Sequence, residues 1–436
     1  MKSIGIDIGT TTICEVVLDL ENEKILYKET IENNSFINTN HEWERVQDVD
    51  VIISKAIKLL DRCLEKYSDI DSIGLTGQMH GIVYVDSMGK AISPLYTWQD
   101  QRGQLLLEDN YTIVDKINQY TLHPVASGYG LVTHAYHIYR QSVPKDAVKI
   151  CTIMDYLGMV LTQRKLPLIH VSNAMSLGFW NTREVCFELD ALNRFNVNST
   201  ILPEVTEEIV VIGNYHTIPV LVALGDNQAS FLSTVGNMTD SVLVNLGTGG
   251  QVSLLIDEYV EVEEIETRPF IDGKYLLVGA SLCGGRAYAI LEKFLRQYVK
   301  AATGMDKSQY EIMEKLARQV DQENSLVVST TFKGTRTHPQ KLGTISYISE
   351  DNFLPEFFIL GFMEGMVREL YDMYIKMKKV THNEMNTMMV SGNAIRKNHT
   401  LRTICEKKFL LPSLLAKYEE EAACGAAMSI LYFKDI

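Results

Sequence analysis

A strand, a loop that contains glycine and threonine, and a second strand occur at residues 3–20, and the same pattern returns at residues 241–256. The predicted strands and loops cover residues 3–8, 9–12 and 13–20 in the first copy, and residues 241–246, 247–250 and 251–256 in the second. A repeat separated by roughly half a chain indicates two related domains, each with one such turn. We place these domains at residues 1–237 and 238–436.

Strand-like and helix-like segments alternate along the rest of the chain. Strands are predicted at residues 24–31, 70–76, 218–224 and 387–390, and helices at residues 48–67, 151–161, 285–303, 353–379 and 419–432. These assignments rest on apolar periodicities of two and of about 3.6 residues. The alternation predicts an α/β fold.

Composition narrows the class of protein. The 436-residue chain is 46% hydrophobic and 22% charged, which is ordinary for a globular protein. Its formal net charge of −14 disfavours binding to a nucleic-acid backbone. The seven cysteines form no CxxC pair, which favours a reducing compartment. Because there is no apolar leader and no run of about 18 apolar residues, we expect a cytoplasmic protein without a membrane span.

The two glycine–threonine loops are candidates for phosphate binding. Successive backbone N–H groups in such turns form a concavity that binds anions, and a threonine hydroxyl adds a donor. The alternative is a pair of ordinary tight hairpin turns, but two matching loops favour an anion. Asp7 lies inside the first strand, where its carboxylate could hold Mg²⁺ through water or serve as a structural carboxylate.

Asp226 stands where an apolar strand ends, which is a position at which α/β proteins place their chemistry. A carboxylate there can take the proton of a sugar hydroxyl while the hydroxyl oxygen attacks phosphorus. Asp226 also precedes residues 227–230, a pattern that is typical of a helix N-cap. The residues alone leave both roles open.

Two further segments suit a polyol ligand. Gln78 and His80 lie between glycines directly after a predicted strand and could bind hydroxyls, although a lone histidine is more often structural. Trp98 offers an aromatic face for C–H groups, and Asp100 and Arg102 offer ions for hydroxyls. The alternative for this second segment is a surface tryptophan beside a charge pair that does not meet.

Taken together, these motifs resemble the FGGY family of carbohydrate kinases, nearly from end to end. The matching segments are residues 5–11, 77–81, 225–227, 247–250, 391–394 and 421–427, together with Trp98, Asp100 and Arg102. Several motifs in the order that the family has them make the resemblance specific.

The resemblance implies a fold, a reaction and a set of site residues. The implied fold is α/β, with two ribonuclease-H-like (actin-like ATPase) domains around a central nucleotide and sugar cleft. The implied reaction is ATP-dependent phosphorylation of the terminal primary hydroxyl of a ketose, with Mg²⁺. The implied site residues are Asp226 as general base, Asp7 for the metal ion, Gln78, Met79, His80, Trp98, Asp100, Arg102 and Asn227 for the sugar, and Gly9, Thr10, Thr11, Thr12, Gly247, Thr248, Gly249, Gly392 and Asn393 for ATP. The expected partner is a small ketose, without nucleic acid or membrane, and a homodimer is compatible with this reading.

Within the family, two branches compete. The segments that resemble the branch acting on sedoheptulose are residues 173–174, 178–180, 223–226, 228–230, 279–285 and 334–336. Asn227 instead resembles the branch acting on D-xylulose, so we expect sedoheptulose as substrate and keep D-xylulose as the alternative. Ser391 and Gly249 depart from the family, whose motifs often have Gly and Ser there.

Two rival functions use the same fold. One is a sugar or nucleotide sensor without catalysis, which the presence of Asp7, Asp226 and both phosphate loops disfavours. The other is a chaperone-type or filament-forming ATPase, which the two sugar segments disfavour.

Overall fold

The computed structural model describes residues 1–236, 238–320, 326–335, 338 and 340–434. The chain forms two compact units. Unit 1 comprises Met1–Ser233, Arg268–Lys274 and Tyr418–Ile436, and unit 2 comprises Thr234–Thr267 and Tyr275–Lys417. Within the described residues, no helix is both long and apolar enough to span a membrane.

The predicted domain boundary falls beside the first passage between the units. Asn237 lies outside the described residues, and unit 2 begins at Thr234. The C-terminal segment Tyr418–Ile436 belongs to unit 1. A single boundary in the sequence therefore does not describe the two units. The domain limits 1–237 and 238–436 therefore stay a prediction.

Unit 1 contains most of the short strands of the chain. Its strands are β1 (Lys2–Ile8), β2 (Thr12–Asp19), β3 (Lys24–Glu32), β4 (Val46–Gln47), β5 (Ser72–Gly77), β6 (Val83–Val85), β7 (Leu95–Tyr96), β8 (Lys149–Cys151), β9 (Leu168–His170), β10 (Trp180–Asn181), β11 (Cys186–Phe187), β12 (Glu204–Thr206), β13 (Val211–Tyr215), β14 (Ile218–Leu221) and β15 (Leu224–Gly225). Its helices are α1 (Val49–Lys66), α2 (Ile113–Ile117), α3 (Gly130–Tyr139), α4 (Ile153–Thr162), α5 (Val171–Ser176), α6 (Leu189–Arg194), α7 (Asp226–Thr234, ending at the passage to unit 2) and the late helix Glu421–Met428.

The main sheet of unit 1 has the order β13-β14-β5-β1-β2-β3, and β15 pairs with β5. The first three strands form an antiparallel meander because short turns connect them. The chain then crosses through α1, so β5 can pair with β1 in parallel. β14 and β15 also run parallel to β5.

Helix α1 shows how the sequence encodes this crossover. Asp48 precedes the helix, and its side chain accepts a hydrogen bond from the Val51 backbone N–H at 3.1 Å. Such a cap satisfies one of the backbone donors that the first turn leaves unpaired. The buried residues then recur at helical spacing: Val49, Ile52, Ile53, Ala56, Leu59, Leu60 and Cys63. This apolar face makes α1 amphipathic, as its predicted range 48–67 required.

The late helix Glu421–Met428 packs very closely against β1 and β5. A Cβ atom at Gly5 would lie 1.8 Å from the Ala423 carbonyl oxygen, and one at Gly74 would lie 1.8 Å from the Ala426 carbonyl oxygen. Only glycine permits this approach, because any other residue would place a carbon inside the helix backbone. The C-terminal helix is therefore built into the sheet that carries the first glycine–threonine loop.

Unit 2 contains the second half of the repeat. Its strands are β16 (Ser241–Leu246), β17 (Gly250–Ile256), β18 (Glu266–Pro269, whose last two residues belong to unit 1), β19 (Tyr275–Ser281), β20 (Val327–Ser329), β21 (Thr344–Ser346), β22 (Thr387–Ser391) and β23 (Ser413–Leu415). Its helices are α8 (Gly284–Thr303), α9 (Tyr310–Ala317), α10 (Pro355–Lys378), α11 (Asn393–Lys397) and α12 (His399–Phe409), which makes the late helix of unit 1 α13.

The sheet of unit 2 has the order β18-β19-β17-β16-β22-β23. As in unit 1, three antiparallel strands (β16, β17 and β19) are followed by strands that run parallel to the first, β22 and then β23. The α/β prediction and the repeat of the first hairpin are thus confirmed in the architecture of each sheet.

One predicted strand is interrupted. The apolar run at residues 218–224 forms β14 and β15, with Val222 and Ala223 between them. The Ala223 carbonyl oxygen accepts a hydrogen bond from Asn173 Nδ2 at 3.0 Å, so a side chain takes the place of a strand partner at this point. Periodicity could not reveal the break, because all of these residues are apolar and Val222 and Ala223 are buried.

Candidate active site

Three parallel strands of unit 1 end side by side. Ile8 of β1 is opposite Gly77 of β5, and Gly77 is opposite Gly225 of β15. The next residues along the chain are Gly9, Gln78 and Asp226. The carboxyl ends of parallel strands are where α/β folds bind ligands, so the sheet itself brings these predicted site residues together.

Two carboxylates occupy this edge of the sheet. Asp7 and Asp226 are both half-buried. Burial, and then the neighbouring charge of Asp226 and that of Glu420, raise the pKa of Asp7 to about 7. Burial also raises the pKa of Asp226 to about 6, while a hydrogen bond with the Asn227 backbone and the charge of Arg268 oppose that rise. Asp226 is the first residue of α7, so the position predicted for a general base is also the start of a helix.

The two carboxylates fit a magnesium ion. Mg²⁺ takes oxygen ligands and is usually bound by one or two carboxylates, with phosphate and water completing the shell. No group of three or more histidine, cysteine or acidic side chains is arranged for a metal in the described part of the chain. Asp7 and Asp226 therefore suit an ion that arrives with a phosphate rather than a closed protein cage.

Arg268 is a member of this site that the sequence analysis missed. Its Nη1 donates a 3.0 Å hydrogen bond to Asn227 Oδ1. Its charge acts on the Asp226 carboxylate, and burial lowers the pKa of the guanidinium. The available signal was a single cation directly after the acidic stretch at residues 261–266, in front of Pro269 and a buried Phe270.

The first glycine–threonine loop is held by side chains. Thr10 Oγ1 accepts a hydrogen bond from Trp98 Nε1 at 3.0 Å and donates one to Gln78 Oε1 at 3.3 Å. Gln47 Nε2 donates to the Thr10 carbonyl oxygen at 2.9 Å, and its Oε1 accepts from Gln78 Nε2 at 2.8 Å. Asn33 Nδ2 donates to the Gly9 carbonyl oxygen at 2.8 Å. These bonds occupy the carbonyls and one hydroxyl, which leaves backbone N–H groups as the donors for a phosphate.

This network changes the role expected of two predicted residues. Gln78 is buried, and both ends of its amide contact Gln47 or Thr10 rather than facing a ligand. Met79 is also buried, and a Cβ atom at Gly225 would lie 2.7 Å from Met79 Cε. Within unit 1, Gln78 thus ties the loop to the sheet, and Met79 packs against Gly225 at the end of β15, directly before Asp226.

His80 is held in a strained turn. Its φ is +73°, and the Gly81 N–H donates to the Met79 carbonyl oxygen at 2.9 Å, which closes a γ-turn. The His80 backbone N–H donates to Ser176 Oγ at 3.2 Å, and Nδ1 lies 2.9 Å from the Ser176 carbonyl oxygen. Its ring stacks on Tyr129 at 4.4 Å between centroids. Strained backbone that is held this firmly is typical of functional sites.

Asp100 and Arg102 contact each other, which excludes the alternative of a charge pair that does not meet. Asp100 Oδ1 accepts from Arg102 Nε at 2.6 Å, and Oδ2 accepts from Arg102 Nη2 at 2.9 Å, which makes a bidentate ion pair. Both side chains are buried, and the guanidinium lies 4.4 Å from the ring centre of Tyr96. The ion pair therefore holds the segment in place from its buried side. Trp98, which is 49% exposed, is the side chain of this segment that a ligand can contact.

Helix α5 braces two parts of this site. Ser172 Oγ accepts from the Gly225 N–H at 3.0 Å, and Asn173 Nδ2 donates to the Ala223 carbonyl oxygen at 3.0 Å. At the end of the same helix, Ser176 holds His80. The position of Asp226 and the turn at His80 thus depend on one short helix, of which the sequence analysis singled out only residues 173–174.

The second glycine–threonine loop lies in unit 2 and is held by backbone. The N–H groups of Gly285 and Arg286, at the start of α8, donate to the carbonyl oxygens of Gly247 and Thr248 at 2.9 and 3.0 Å. A Cβ atom at Gly249 would lie 3.0 Å from the Ser281 carbonyl oxygen. The loop carbonyls are thus engaged, and its own N–H groups remain the candidate phosphate donors.

Gly392 and Asn393 continue from the end of β22. Gly392 has φ +91° and ψ 150°, and a Cβ atom there would lie 2.6 Å from the Leu246 carbonyl group. Asn393 then begins α11. Ser391, which departs from the family pattern, is buried and accepts a 2.7 Å hydrogen bond from Asn245 Nδ2, so its hydroxyl is used inside the sheet.

The structure therefore assigns the predicted residues to two groups. Unit 1 holds Asp7, Gly9, Thr10, Thr11, Thr12, Gln78, Met79, His80, Trp98, Asp100, Arg102, Asp226 and Asn227, and unit 2 holds Gly247, Thr248, Gly249, Gly392 and Asn393. Of the segment at residues 334–336, Arg336 lies outside the described residues.

Two known proteins of similar sequence are named sedoheptulokinases. The Mus musculus protein named sedoheptulokinase is 26% identical over 474 aligned residues, which cover 98% of this chain and 97% of that protein. The Homo sapiens sedoheptulokinase is 27% identical over 426 residues, which cover 89% of this chain and 86% of that protein.

A solved structure and a family model complete the comparison. The xylulose kinase from Rhodospirillum rubrum matches 99% of this chain and 89% of its own with a TM-score of 0.85, at 17% identity. The model of the FGGY family of carbohydrate kinases, N-terminal domain, matches residues 3–233. Because this match covers more than half of the chain, the protein belongs to the FGGY family of carbohydrate kinases and is a carbohydrate kinase with the two-domain, actin-like ATPase fold.

Proposed function

We propose that this kinase transfers the γ-phosphate of ATP to the terminal primary hydroxyl of a ketose, and that the ketose is sedoheptulose. The observation that carries the reaction is the position of the Asp226 carboxylate. Asp226 directly follows β15, at the same edge of the sheet as the first glycine–threonine loop, and its charge acts on Asp7. The alignment with two sedoheptulokinases supports the choice of sugar.

Asp226 is the proposed general base. Its pKa of about 6 lies close to neutrality, so the carboxylate is ionised at pH 7 and still basic enough to accept a proton. As the sugar oxygen attacks phosphorus, the hydroxyl proton passes to the Asp226 carboxylate. Before that step, Arg268 and the Asn227 backbone N–H favour the ionised form of Asp226, because both oppose the rise of its pKa.

The glycine–threonine loops are the proposed phosphate ligands. The carbonyl oxygens of Gly9 and Thr10 in the first loop, and of Gly247 and Thr248 in the second, accept hydrogen bonds from within the protein, which supports the loop N–H groups as the proposed phosphate donors. Gly392 and Asn393 are proposed to contact the nucleoside part of ATP. Asp7, with Asp226, would hold Mg²⁺, which neutralises charge on the transferred phosphoryl group when it is bound.

The sugar is proposed to bind against Trp98, His80 and Asn227. The exposed face of Trp98 suits the C–H groups of a sugar, and its indole N–H is already used by Thr10. Asp100 and Arg102, which were predicted to contact hydroxyls, are proposed to act by holding this segment, since their charged atoms pair with each other.

D-Xylulose is the second candidate substrate. The solved xylulose kinase shares the fold over nearly the whole chain, and Asn227 follows the base as in that branch. A comparison of kcat/KM for sedoheptulose, D-xylulose, D-ribulose, L-ribulose and glycerol separates the candidates. We expect sedoheptulose to exceed the others by about tenfold or more, since a hydroxyl-reading site discriminates strongly. A higher value for D-xylulose would replace the proposed sugar.

The role of Asp226 has a separate test. We expect Asp226→Asn to lower kcat by about 10²–10⁴, as for loss of a general base. Asp109→Asn is a matched control in unit 1, because Asp109 is an exposed carboxylate that pairs with Lys116 at 2.6 Å. Normal turnover by Asp226→Asn would refute the base assignment. Sugar binding by the unaltered protein without release of ADP would favour the sensor.

Two further predictions accompany this function. We propose a cytoplasmic enzyme, on the strength of its cysteine usage. A homodimer is also proposed, and sedimentation equilibrium of the purified protein tests it directly.

A further inference from the structure

The segment Arg268–Lys274 belongs to unit 1, although the residues on both sides of it belong to unit 2. The chain thus leaves unit 2 for seven residues and returns. Arg268 is the first residue of this excursion, and it is the residue that contacts Asn227. We call the segment the Arg268 insertion.

The Arg268 insertion is anchored to the helix that starts with the proposed base. Gln228 Nε2 donates a 3.0 Å hydrogen bond to the Pro269 carbonyl oxygen, and Gln228 is fully buried. Phe270 is buried and meets Phe231 edge to face, with 5.6 Å between ring centroids. These contacts fix the backbone on which Arg268 stands, so the guanidinium has little freedom to move away from Asn227.

The hydrogen bond to Arg268 fixes which way the Asn227 amide faces. An arginine can only donate, so the atom that accepts from Nη1 at 3.0 Å must be the amide oxygen. The Asn227 NH₂ group is then directed elsewhere. It makes no hydrogen bond within the described residues, and it is not among their buried, unpartnered atoms. Asn227 therefore presents a donor to solvent immediately after Asp226.

We propose that Arg268 is a specificity-determining positioning residue, which fixes the Asn227 amide so that its NH₂ group donates to a hydroxyl oxygen of the acceptor sugar. This inference rests on the proposed function, in that Asn227 contacts the sugar. It goes further by assigning the orientation of that amide to a residue on a separate segment of the chain. Without Arg268, the amide could rotate and offer its oxygen instead.

The chemistry predicts a particular pattern of losses. The Asn227 NH₂ group, next to the proposed base, donates to a lone pair of a sugar hydroxyl. Loss of this donor therefore weakens sugar binding more than ATP binding. Leaving the sugar hydroxyl without this donor changes affinity by about 5- to 100-fold. Because Arg268 acts through Asn227, removing both residues should cost little more than removing either one.

The experiment measures kcat and KM for ATP and for whichever sugar the unaltered enzyme uses best. The variants are Arg268→Met, Asn227→Ala and the double variant, with Arg268→Lys as a conservative change that keeps a donor. Asp272→Asn is the matched control, since Asp272 lies exposed in the same segment and pairs with Lys434 at 3.2 Å. Thermal unfolding of each protein reports whether the fold is retained.

We expect Arg268→Met and Asn227→Ala each to raise the sugar KM by about tenfold or more, with the ATP KM changed less than about threefold. The double variant should have about the same sugar KM as the single variant with the larger loss. Arg268→Lys should recover part of the loss, and Asp272→Asn should keep the sugar KM of the unaltered enzyme. Losses that multiply in the double variant, or an unchanged sugar KM in Arg268→Met, would overturn the inference. If Arg268→Met does not fold, the sugar KM of Arg268→Lys and Asn227→Ala decides in the same way.

These outcomes are separate from the test of the proposed function. Failure there is a different preferred sugar, or normal turnover without the Asp226 carboxylate. The role of Arg268 is refuted if Arg268 and Asn227 affect the sugar KM independently of each other, whichever sugar the enzyme uses.

Discussion

The hairpins β1–β2 and β16–β17 occupy the same place in their two sheets but differ at one polar position. In β1, Asp7 is opposite Thr76 of the parallel strand β5, and in β16, Asn245 is opposite Ser391 of the parallel strand β22. Each glycine–threonine loop begins two residues later. The carboxylate of the first hairpin thus corresponds to a neutral amide in the second.

The difference separates two tasks that the repeat alone does not distinguish. A carboxylate can help to hold a divalent cation, whereas an amide that already bonds a neighbouring strand cannot replace it. Both loops keep the backbone N–H groups that suit a phosphate. Of the two corresponding positions, Asp7 in the first hairpin carries a charge and Asn245 in the second does not, so the proposed metal role fits the first hairpin.

Among the changes that test this comparison, the largest effect should come from Asp7→Asn, which makes the first hairpin resemble the second. Because the carboxylate is expected to hold Mg²⁺ at the transferred phosphate, we expect kcat to fall by about 10²–10³. Steady-state kinetics over a Mg²⁺ titration measures this, and the concentration of Mg²⁺ for half-maximal rate should rise. Asn245→Ala in the second hairpin is the control, with kcat lowered by about fivefold at most, the cost of one hydrogen bond. Equal losses in the two variants would contradict the separation.

A second difference concerns the inner face of the hairpins. Ile6 is opposite Glu15 in the first hairpin, and the corresponding Val244 is opposite Val252 in the second. Glu15 is fully buried and neither of its carboxylate oxygens has a hydrogen-bond partner. Burial raises its pKa to about 7, and the nearby Cys63 opposes that rise only in part.

Glu15→Val should therefore stabilise the protein. The folded protein binds the Glu15 proton more tightly than the unfolded chain, so stability is lost as pH rises from about 4.5 to about 7. The variant lacks this loss and should gain about 3 kcal/mol above pH 7, and much less below pH 4.5. Thermal unfolding at pH 4.5 and pH 8 measures the difference, with Glu29→Gln on β3 as a control. A variant that is less stable at pH 8 would show that Glu15 has a partner or a function.

Gly392→Ala tests the close approach of Gly392 to Leu246, the last residue of β16 in the second hairpin. Its φ of +91° with ψ of 150° is a conformation that is almost confined to glycine, and the added carbon would meet the Leu246 carbonyl group at 2.6 Å. We expect a loss of about 1–3 kcal/mol in stability, together with a higher ATP KM. Gly273→Ala is informative as a comparison, since φ there is also positive (+68°) but nothing lies within 4 Å. Similar losses in both variants would point to backbone strain rather than to the contact with Leu246.

Much of this fold was readable from the sequence. The first hairpin, α1 and the second hairpin were predicted nearly at their observed bounds, because local periodicity and turn residues encode them. Asp226 was also placed correctly at the end of a strand and the start of a helix. These features depend on neighbours in the chain, which a single sequence displays.

The contacts that complete the site were not readable. Thr10 meets Trp98, 88 residues away, and Arg268 meets Asn227, 41 residues away. Neither pairing leaves a periodic or spacing signal, since each depends on which strands become neighbours in the sheet. The orientation of Gln78 away from a ligand has the same origin, because its partner Gln47 lies in a different strand. The chemistry of the residues was therefore predictable, and their assignment to binding or to bracing was not.

The smallest effect should come from Thr10→Val, which tests how the loops differ in their side-chain bonds. The Thr10 hydroxyl joins Trp98 to Gln78, so its loss should loosen the tryptophan that is proposed to cover the sugar. At about 1 kcal/mol for a hydrogen bond, the sugar KM should rise by about fivefold, and the ATP KM should rise less. Thr248→Val is the counterpart in the second loop, where Thr248 makes backbone bonds but no side-chain bond among the described residues, so its sugar KM should stay at the original value. If Thr10→Val instead raised the ATP KM more than the sugar KM, the hydroxyl would be a phosphate ligand, and the two hairpins would be more alike than their side-chain contacts indicate.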